Sequence, residues 1–121
     1  MHCIGVDIIE IARIKRAIAR WSESFLRRVY TDPELRMCHK KPSSLAARFA
    51  GKEAVIKAFG TQNKGIGWKD IEILSEPSGK PSVHFHGKAQ NQANSLGLNR
   101  LAISLSHSRE YAIAFVIGET K

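Results

Sequence analysis

The alternation of apolar and polar residues predicts a strand followed by a helix at the start of the chain. Residues 1–9 predict a buried strand, because branched apolar side chains crowd around Gly5 and Asp7: Ile4, Val6, Ile8 and Ile9. From residue 10 to about residue 21, apolar side chains recur at spacings of three, four and three, as on one face of an amphipathic helix: Ile11, Ile14, Ile18 and Trp21. Residues 24–29 predict a second, shorter helical segment.

Capping residues predict two further helices in the first half of the chain. The first begins at a capping box with a proline in its first turn, and it ends before the next proline: Thr31, Glu34, Pro33 and Pro42. The second is capped by Ser43 or Ser44 and runs to Phe59, where Gly60 is a natural C-terminal stop.

The second half of the chain predicts strands with one helix between them. A glycine-containing loop at residues 63–67 lacks the pattern of a phosphate-binding P-loop. The other predicted elements are strands at 70–74 and 83–86 around a turn at 76–81, a helix at 88–96 that ends near Gly97, and a hairpin of strands 101–105 and 111–117. The whole pattern predicts a single domain over residues 1–121 of the α+β class, with a small, mainly antiparallel sheet packed against helices.

Charge and composition narrow the kinds of partner. The 121 residues carry a formal net charge of +8, with a pI of about 9.9. A basic surface attracts a polyanion, and nucleic acid, a phosphorylated ligand and an acidic protein all fit that description. The chain has no apolar run of about 18 residues, so we expect no membrane span. Cys3 and Cys38 match no zinc or disulfide spacing, and we expect reduced thiols and a cytoplasmic location.

Asp7 is the first candidate for chemistry. A carboxylate inside an apolar strand is costly to bury unless it is paired or bound to a cation. The alternative is that Asp7 lies at the strand end, where it reaches solvent or caps the next helix, since Asp favours helix N-termini. The residue by itself does not separate the two interpretations.

The helix at residues 45–59 contains the second group of candidates. It is apolar or small nearly all round, which is typical of a buried helix, yet it carries Lys52, Glu53 and Lys57. Glu53 and Lys57 share a face, and a plain Glu–Lys pair there stabilises a helix by only about 0.2–0.5 kcal/mol. With Asp7, Glu53 could instead share a magnesium ion while Lys57 neutralises a phosphate, an arrangement that suits phosphoryl-group transfer.

The histidines give weaker indications. His107 follows a predicted strand, where a lone histidine is more often structural or solvated than catalytic. His84 and His86 alternate along one strand face, which fits an exposed face as readily as a metal site.

Three segments, in order, resemble those of a known enzyme family. They are residues 4–8 (IGVDI), 48–60 (RFAGKEAVIKAFG) and 105–108 (LSHS), with weaker support from 68–73 (WKDIEI) and 78–81 (SGKP). The chain is similar along nearly its whole length to 4'-phosphopantetheinyl transferases of the small, single-domain holo-acyl-carrier-protein synthase type.

The resemblance implies a magnesium-dependent transferase of fatty acid biosynthesis, which moves 4'-phosphopantetheine from coenzyme A to a serine of apo acyl carrier protein and releases 3',5'-ADP. Asp7 and Glu53 would bind magnesium, and Glu53 and Lys57 would be catalytic. The residues that would contact coenzyme A are Arg48, Lys57, Gly79, Lys80, Pro81 and His107. Either Glu53 or a metal-bound water would take the serine proton, and the sequence does not decide between them.

The same resemblance implies macromolecular partners. The basic face of the first helix would dock the acidic carrier protein through Arg13, with Arg16 and Arg20 beside it. Members of this family form homotrimers with an active site at each subunit interface, so we expect a homotrimer here. We expect no nucleic-acid or membrane partner.

Two alternatives stay open at this point. A small nucleic-acid-binding module would explain the net charge, although the aromatic content is only 7% and no stacking motif is visible. A non-catalytic interaction protein would keep Asp7 and Glu53 for structural reasons.

Overall fold

A computed structural model describes residues 1–60 and 65–121, so part of the predicted loop at residues 63–67 lies outside the described residues. The elements follow one another as β1 (His2–Glu10), α1 (Ile11–Val29), α2 (Asp32–Cys38), α3 (Pro42–Phe59), a 3-10 turn (Trp68–Asp70), β2 (Ile71–Ser75), β3 (Pro81–Phe85), α4 (Gly87–Leu96), β4 (Arg100–His107) and β5 (Tyr111–Glu119). No helix in these two ranges is both long and apolar enough to cross a membrane.

The strands are divided between two antiparallel sheets. One sheet has the strand order β1-β5-β4, and the other is the hairpin of β2 and β3. Helix α3 packs against both β1 and β5, and its buried residues form the centre of the core. This arrangement confirms the predicted α+β class, and it adds that the strands form two small sheets.

Helix α3 can lie directly on β1 because of Gly5. A Cβ atom at this position would overlap the carbonyl oxygen of Ala54, which is backbone and cannot rotate away. The small Ala46, Ala50 and Ala54 are fully buried on the helix. The close contact therefore places the inward side chains of β1 beside α3.

The prediction that residues 1–9 form a buried strand is wrong for one of its two faces. Ile4, Val6 and Ile8 are 57%, 48% and 60% exposed, whereas Gly5 and Ile9 are buried. Successive side chains of a strand point to opposite faces, and α3 covers only one of them. The sequence pattern identified the strand correctly but could not show which face is covered.

The helix boundaries agree with the predictions to within one residue except at the start of α3; α1 begins at Ile11 and α4 at Gly87. Thr31 and Glu34 form the predicted capping box of α2. Helix α3 begins at Pro42, one residue before the predicted caps, because proline has no N–H to leave unpaired in a first turn. The two predicted segments of α1 are joined at Ser22, whose φ of 48° interrupts the helix.

Candidate active site

Asp7, Glu53 and Lys57 form what we call the carboxylate cluster, where β1 crosses α3. Asp7 lies two residues beyond Gly5 on the inward face of β1, and its side chain is 17% exposed. The ammonium of Lys57 lies 2.9 Å from Oδ1 of Asp7 and donates to the carbonyl oxygen of Val6 at 3.1 Å. Among the described residues, the ion pair that Lys57 forms is with Asp7, so the plain Glu53–Lys57 helix pair is not the contact adopted.

The surroundings of Glu53 disfavour its charged form. Burial raises the pKa of Glu53, and the negative charge of Asp7 raises it further, while Lys57 acts in the opposite direction. Two carboxylates close enough to repel each other would both ionise more readily beside a divalent cation.

The cluster fits magnesium in the chemistry of its donors. Within residues 1–60 and 65–121, no group of three or more His, Cys, Asp or Glu side chains is placed to hold a metal ion. Magnesium is commonly held by only one or two carboxylates, with waters and substrate phosphates completing its octahedral shell. Asp7 and Glu53 match that requirement.

A second feature is a cavity of about 220 Å³ between α3, the β2–β3 hairpin and the end of β4, which we call the Arg48 cavity. Four residues predicted from the resemblance line it: Arg48, Gly79, Pro81 and His107. Ser44, Ser75 and Ser106 also line it and add three hydroxyl groups that the sequence analysis missed. Ser106 lies within the recognised segment 105–108, but nothing in the sequence distinguishes Ser44 or Ser75.

Arg48 is the cationic side chain in the cavity wall. Its Nη2 atom donates to Oγ of Ser75 at 2.8 Å and lies 3.8 Å from Sδ of Met37. Its Nε atom is buried and, among the described residues, has no hydrogen-bond partner. The positive charge of Arg48 in the cavity wall is suited to bind an anionic group such as a phosphate.

Lys57 and Lys80 do not join the other predicted coenzyme A contacts in this cavity. Lys80 is exposed on the hairpin turn, whose Gly79 has a φ of 90° that favours glycine. Asp7 pairs with Ala114 across the sheet, and Ala114 pairs with Leu105 on the cavity wall. The carboxylate cluster and the Arg48 cavity are therefore about two strand spacings, or roughly 10 Å, apart within one chain.

The three predicted docking arginines share one exposed face of α1. Arg13, Arg16 and Arg20 line a shallow groove of about 340 Å³ with Trp21. The guanidinium of Arg20 lies 5.0 Å from the ring centre of Trp21, which is 54% exposed although it continues the apolar spacing of the helix. This surface combines positive charge with one large apolar side chain.

Two carboxylates beside a lysine, together with an arginine-lined cavity, have the makeup of an enzyme that transfers a phosphate-linked group. Comparison with known proteins identifies the family. Residues 3–116 match the family described as the 4'-phosphopantetheinyl transferase superfamily. The holo-[acyl-carrier-protein] synthase of Dehalococcoides mccartyi strain CBDB1 is 54% identical over 115 residues, which cover 95% of this chain and 96% of that protein. The enzyme of the same name from Herpetosiphon aurantiacus is 49% identical and covers 98% of both chains.

A solved structure agrees with the sequence comparisons. The crystal structure of Helicobacter pylori holo-[acyl-carrier-protein] synthase in complex with coenzyme A matches with a TM-score of 0.87 at 33% identity, over 96% of this chain and 99% of that one. The chain belongs to the 4'-phosphopantetheinyl transferase superfamily. The resemblance seen in the three sequence segments is thereby confirmed.

Proposed function

We infer that this chain transfers 4'-phosphopantetheine from coenzyme A to a serine of apo acyl carrier protein and releases 3',5'-ADP, a step that serves fatty acid biosynthesis. The observation that carries this inference is the contact at Gly5, which brings Asp7 to Glu53 and Lys57 on a chain of this family. Family membership also favours an enzyme over the two alternatives left open by the sequence.

We propose that Asp7 and Glu53 hold a magnesium ion, which when bound would polarise the phosphate and stabilise its developing charge. The serine oxygen would attack the β-phosphorus, and the bond from that phosphorus to the oxygen of 3',5'-ADP would break. Lys57 would neutralise negative charge on the phosphates. Glu53 is one candidate to take the serine proton, and a water molecule is the other.

We propose that the Arg48 cavity holds the nucleotide part of coenzyme A. The positive charge of Arg48 and the hydroxyls of Ser44, Ser75 and Ser106 would contact its phosphate and sugar groups. His107 lines the same cavity, and Lys80 lies on the adjacent exposed turn, where it would add positive charge for a phosphate.

The carrier protein would dock on the face of α1 that carries Arg13, Arg16 and Arg20. Complementary charge raises encounter rates with an acidic partner and is weakened by salt. The positions of the three arginines support this assignment, because they concentrate positive charge on one exposed groove of a chain whose net charge is +8.

We also propose that the protein is a homotrimer with its active sites at subunit interfaces. The uncovered side of the β1-β5-β4 sheet, which we call the apolar sheet face, exposes six large side chains: Ile4, Val6, Ile8, Ile113, Phe115 and Ile117. A contiguous apolar surface of this kind is typical of a protein interface. Strand β1 lies at the sheet edge and carries Asp7 on its other face, so a subunit covering β1 would lie close to the carboxylate cluster.

The cytoplasmic location remains part of the proposal. Cys3 and Cys38 are both free thiols, which is usual for proteins of a reducing compartment.

The test is the intact mass of an apo acyl carrier protein incubated with the chain, coenzyme A and magnesium. We expect a gain of one phosphopantetheine that disappears with a chelator. Glu53→Gln should lower kcat by at least about a hundredfold while the protein stays folded, because it removes a metal ligand and a candidate base. The matched control is Glu119→Gln, at the far end of β5, which should transfer normally. Native activity in Glu53→Gln would contradict the metal assignment.

A further inference from the structure

Lys52 and Glu34 form a buried ion pair that the proposed reaction does not use. Both side chains are 0% exposed, and Nζ of Lys52 lies 2.8 Å from Oε1 of Glu34. The two residues are 18 positions apart and belong to α3 and α2. We call them the Lys52–Glu34 pair.

The pair is fully hydrogen-bonded to the backbone around the 3-10 turn and β2. Nζ of Lys52 also donates to the carbonyl oxygens of Trp68 at 3.0 Å and Ile71 at 2.6 Å, so its three hydrogens are all used. Oε2 of Glu34 accepts from the backbone N–H of Ile73 at 2.8 Å. Two side chains therefore fix α2, α3 and the first half of β2 relative to one another.

Stability alone does not require an ion pair at this position. Removing two charges from water is costly, and well-packed apolar residues of similar size can replace a buried pair with little loss or even a gain in stability. An apolar replacement does not reproduce the directional hydrogen bonds of the pair. The bonds to Ile71 and Ile73 define where β2 lies along α3.

The elements joined by the Lys52–Glu34 pair are the ones that enclose the Arg48 cavity. Arg48 lies one turn before Lys52 on α3. Strand β2 continues from Ile73 to Ser75, which accepts the hydrogen bond from Arg48 and leads into the hairpin turn of the cavity wall. Met37 of α2 contacts both α3 and β2, because its Sδ lies 3.8 Å from Nη2 of Arg48 and 2.9 Å from the backbone N of Ser75.

We propose that the Lys52–Glu34 pair is a positioning device that sets the β2–β3 hairpin against Arg48, and so gives the cavity its affinity for the nucleotide of coenzyme A. The inference rests on the proposed function, because it assumes that coenzyme A occupies the Arg48 cavity. Neither residue touches the substrate in this assignment.

The test replaces both partners together, as Lys52→Met with Glu34→Leu, so that no unpaired charge is left buried. We expect a folded protein with a lower Tm than the wild type, because the change also removes the capping box of α2 and leaves the N–H of Ile73 without its acceptor. Its Kd for coenzyme A, measured by calorimetry, should rise about tenfold, since small misplacements of binding groups are costly. The kcat at saturating coenzyme A should stay within about twofold, because the carboxylate cluster is intact.

Two controls separate positioning from general destabilisation. Leu26→Ala removes a buried side chain of α1, away from the cavity, and should lower the Tm without changing the Kd. Glu34→Gln is a second variant that keeps the size of the side chain and an oxygen that can accept from Lys52, but it leaves the buried charge of Lys52 without a counter-charge. If the double variant does not fold, the Kd for coenzyme A is compared between Glu34→Gln and Leu26→Ala at a temperature where both are folded. We expect a weaker affinity for coenzyme A in Glu34→Gln alone.

The outcomes are distinct. An unchanged Kd in a folded double variant, or equal Kd values in Glu34→Gln and Leu26→Ala, would overturn the positioning role while the proposed function stands. A wild-type protein that binds no coenzyme A would overturn the proposed function itself, and the positioning role with it.

Discussion

Glu72 is held by two polar partners from distant parts of the chain. Its Oε2 accepts a hydrogen bond from Oγ1 of Thr31 at 2.6 Å, and its Oε1 lies 3.0 Å from Nε2 of His86. His84 and His86 are both exposed, as the first of the two interpretations predicts, and His86 also pairs with the carboxylate of Glu72. Burial raises the pKa of Glu72, but the hydrogen bonds from Thr31 and His86 outweigh it, and the net pKa is lowered.

The lowered pKa makes a prediction about pH. A carboxylate with a lowered pKa in the folded state stabilises the protein above its ordinary pKa of about 4.3, and this contribution is lost as the pH falls through the lower folded value. Glu72→Gln should therefore lower the free energy of unfolding by about 1–2 kcal/mol at neutral pH. The difference from the wild type should shrink in acid.

Denaturant unfolding at neutral pH and at pH values below the ordinary carboxylate range measures this difference. Glu76→Gln, in the exposed hairpin turn, is the control and should change little at either pH. A deficit in Glu72→Gln that is the same at both pH values would show that the charge of Glu72 has no part in its stabilising role.

At the scale of elements, the close packing of β1 on α3 determines where Asp7 lies. Gly5 meets the backbone of Ala54, whereas a Cβ at Gly51 would meet Cδ1 of Ile73, the flexible end of a side chain. The first contact cannot be relieved without separating a strand from a helix. The second can be relieved by a rotamer change.

Gly5→Ala should consequently be the more damaging of two chemically identical substitutions. We expect it to lower the free energy of unfolding by about 1–3 kcal/mol or more, as overpacking does, and to reduce transfer activity because Asp7 lies two residues further along β1. Gly51→Ala is the matched control with a smaller loss. Thermal unfolding and the transfer assay on both variants decide the matter, and equal losses in the two would contradict the backbone argument.

Local signals made most elements predictable from the sequence. Two helix ends are marked by the residues that cap them. Thr31 and Glu34 form the capping box of α2, and Gly97 ends α4, where the structure has both ends as predicted. The recognised segments likewise supplied four of the residues in the Arg48 cavity. What the sequence could not supply are contacts between distant positions, such as Lys52 with Glu34, or the choice of Asp7 over Glu53 as the partner of Lys57. These depend on how the elements pack.

At the scale of the whole molecule, the apolar sheet face is the feature that a single chain leaves uncovered. Phe115 lies near its middle, opposite Val6 on one side and Ser104 on the other, and remains 43% exposed. Because Phe115 is not part of the chain's own core, a charge there would act mainly on the proposed interface between copies.

Phe115→Lys should therefore produce a folded chain that does not assemble. We expect a wild-type mass of three times 13.5 kDa in sedimentation analysis, a mass near that of one chain for the variant, and a loss of transfer activity with it. Gln90→Lys on the exposed surface of α4 adds the same charge elsewhere and should leave the mass unchanged. A wild-type protein that sediments as a single chain would refute the trimer.

The separation between the carboxylate cluster and the Arg48 cavity has a consequence for mixtures of chains. If the cavity of one subunit serves the carboxylates of its neighbour, a chain lacking Asp7 and a chain lacking Arg48 each retain the half that the other has lost. Two inactive proteins, unfolded together and refolded as mixed trimers, would then regain part of the activity by complementation. Each variant would then be inactive only when all three subunits carry the same substitution. The catalytic unit would be the interface between two subunits.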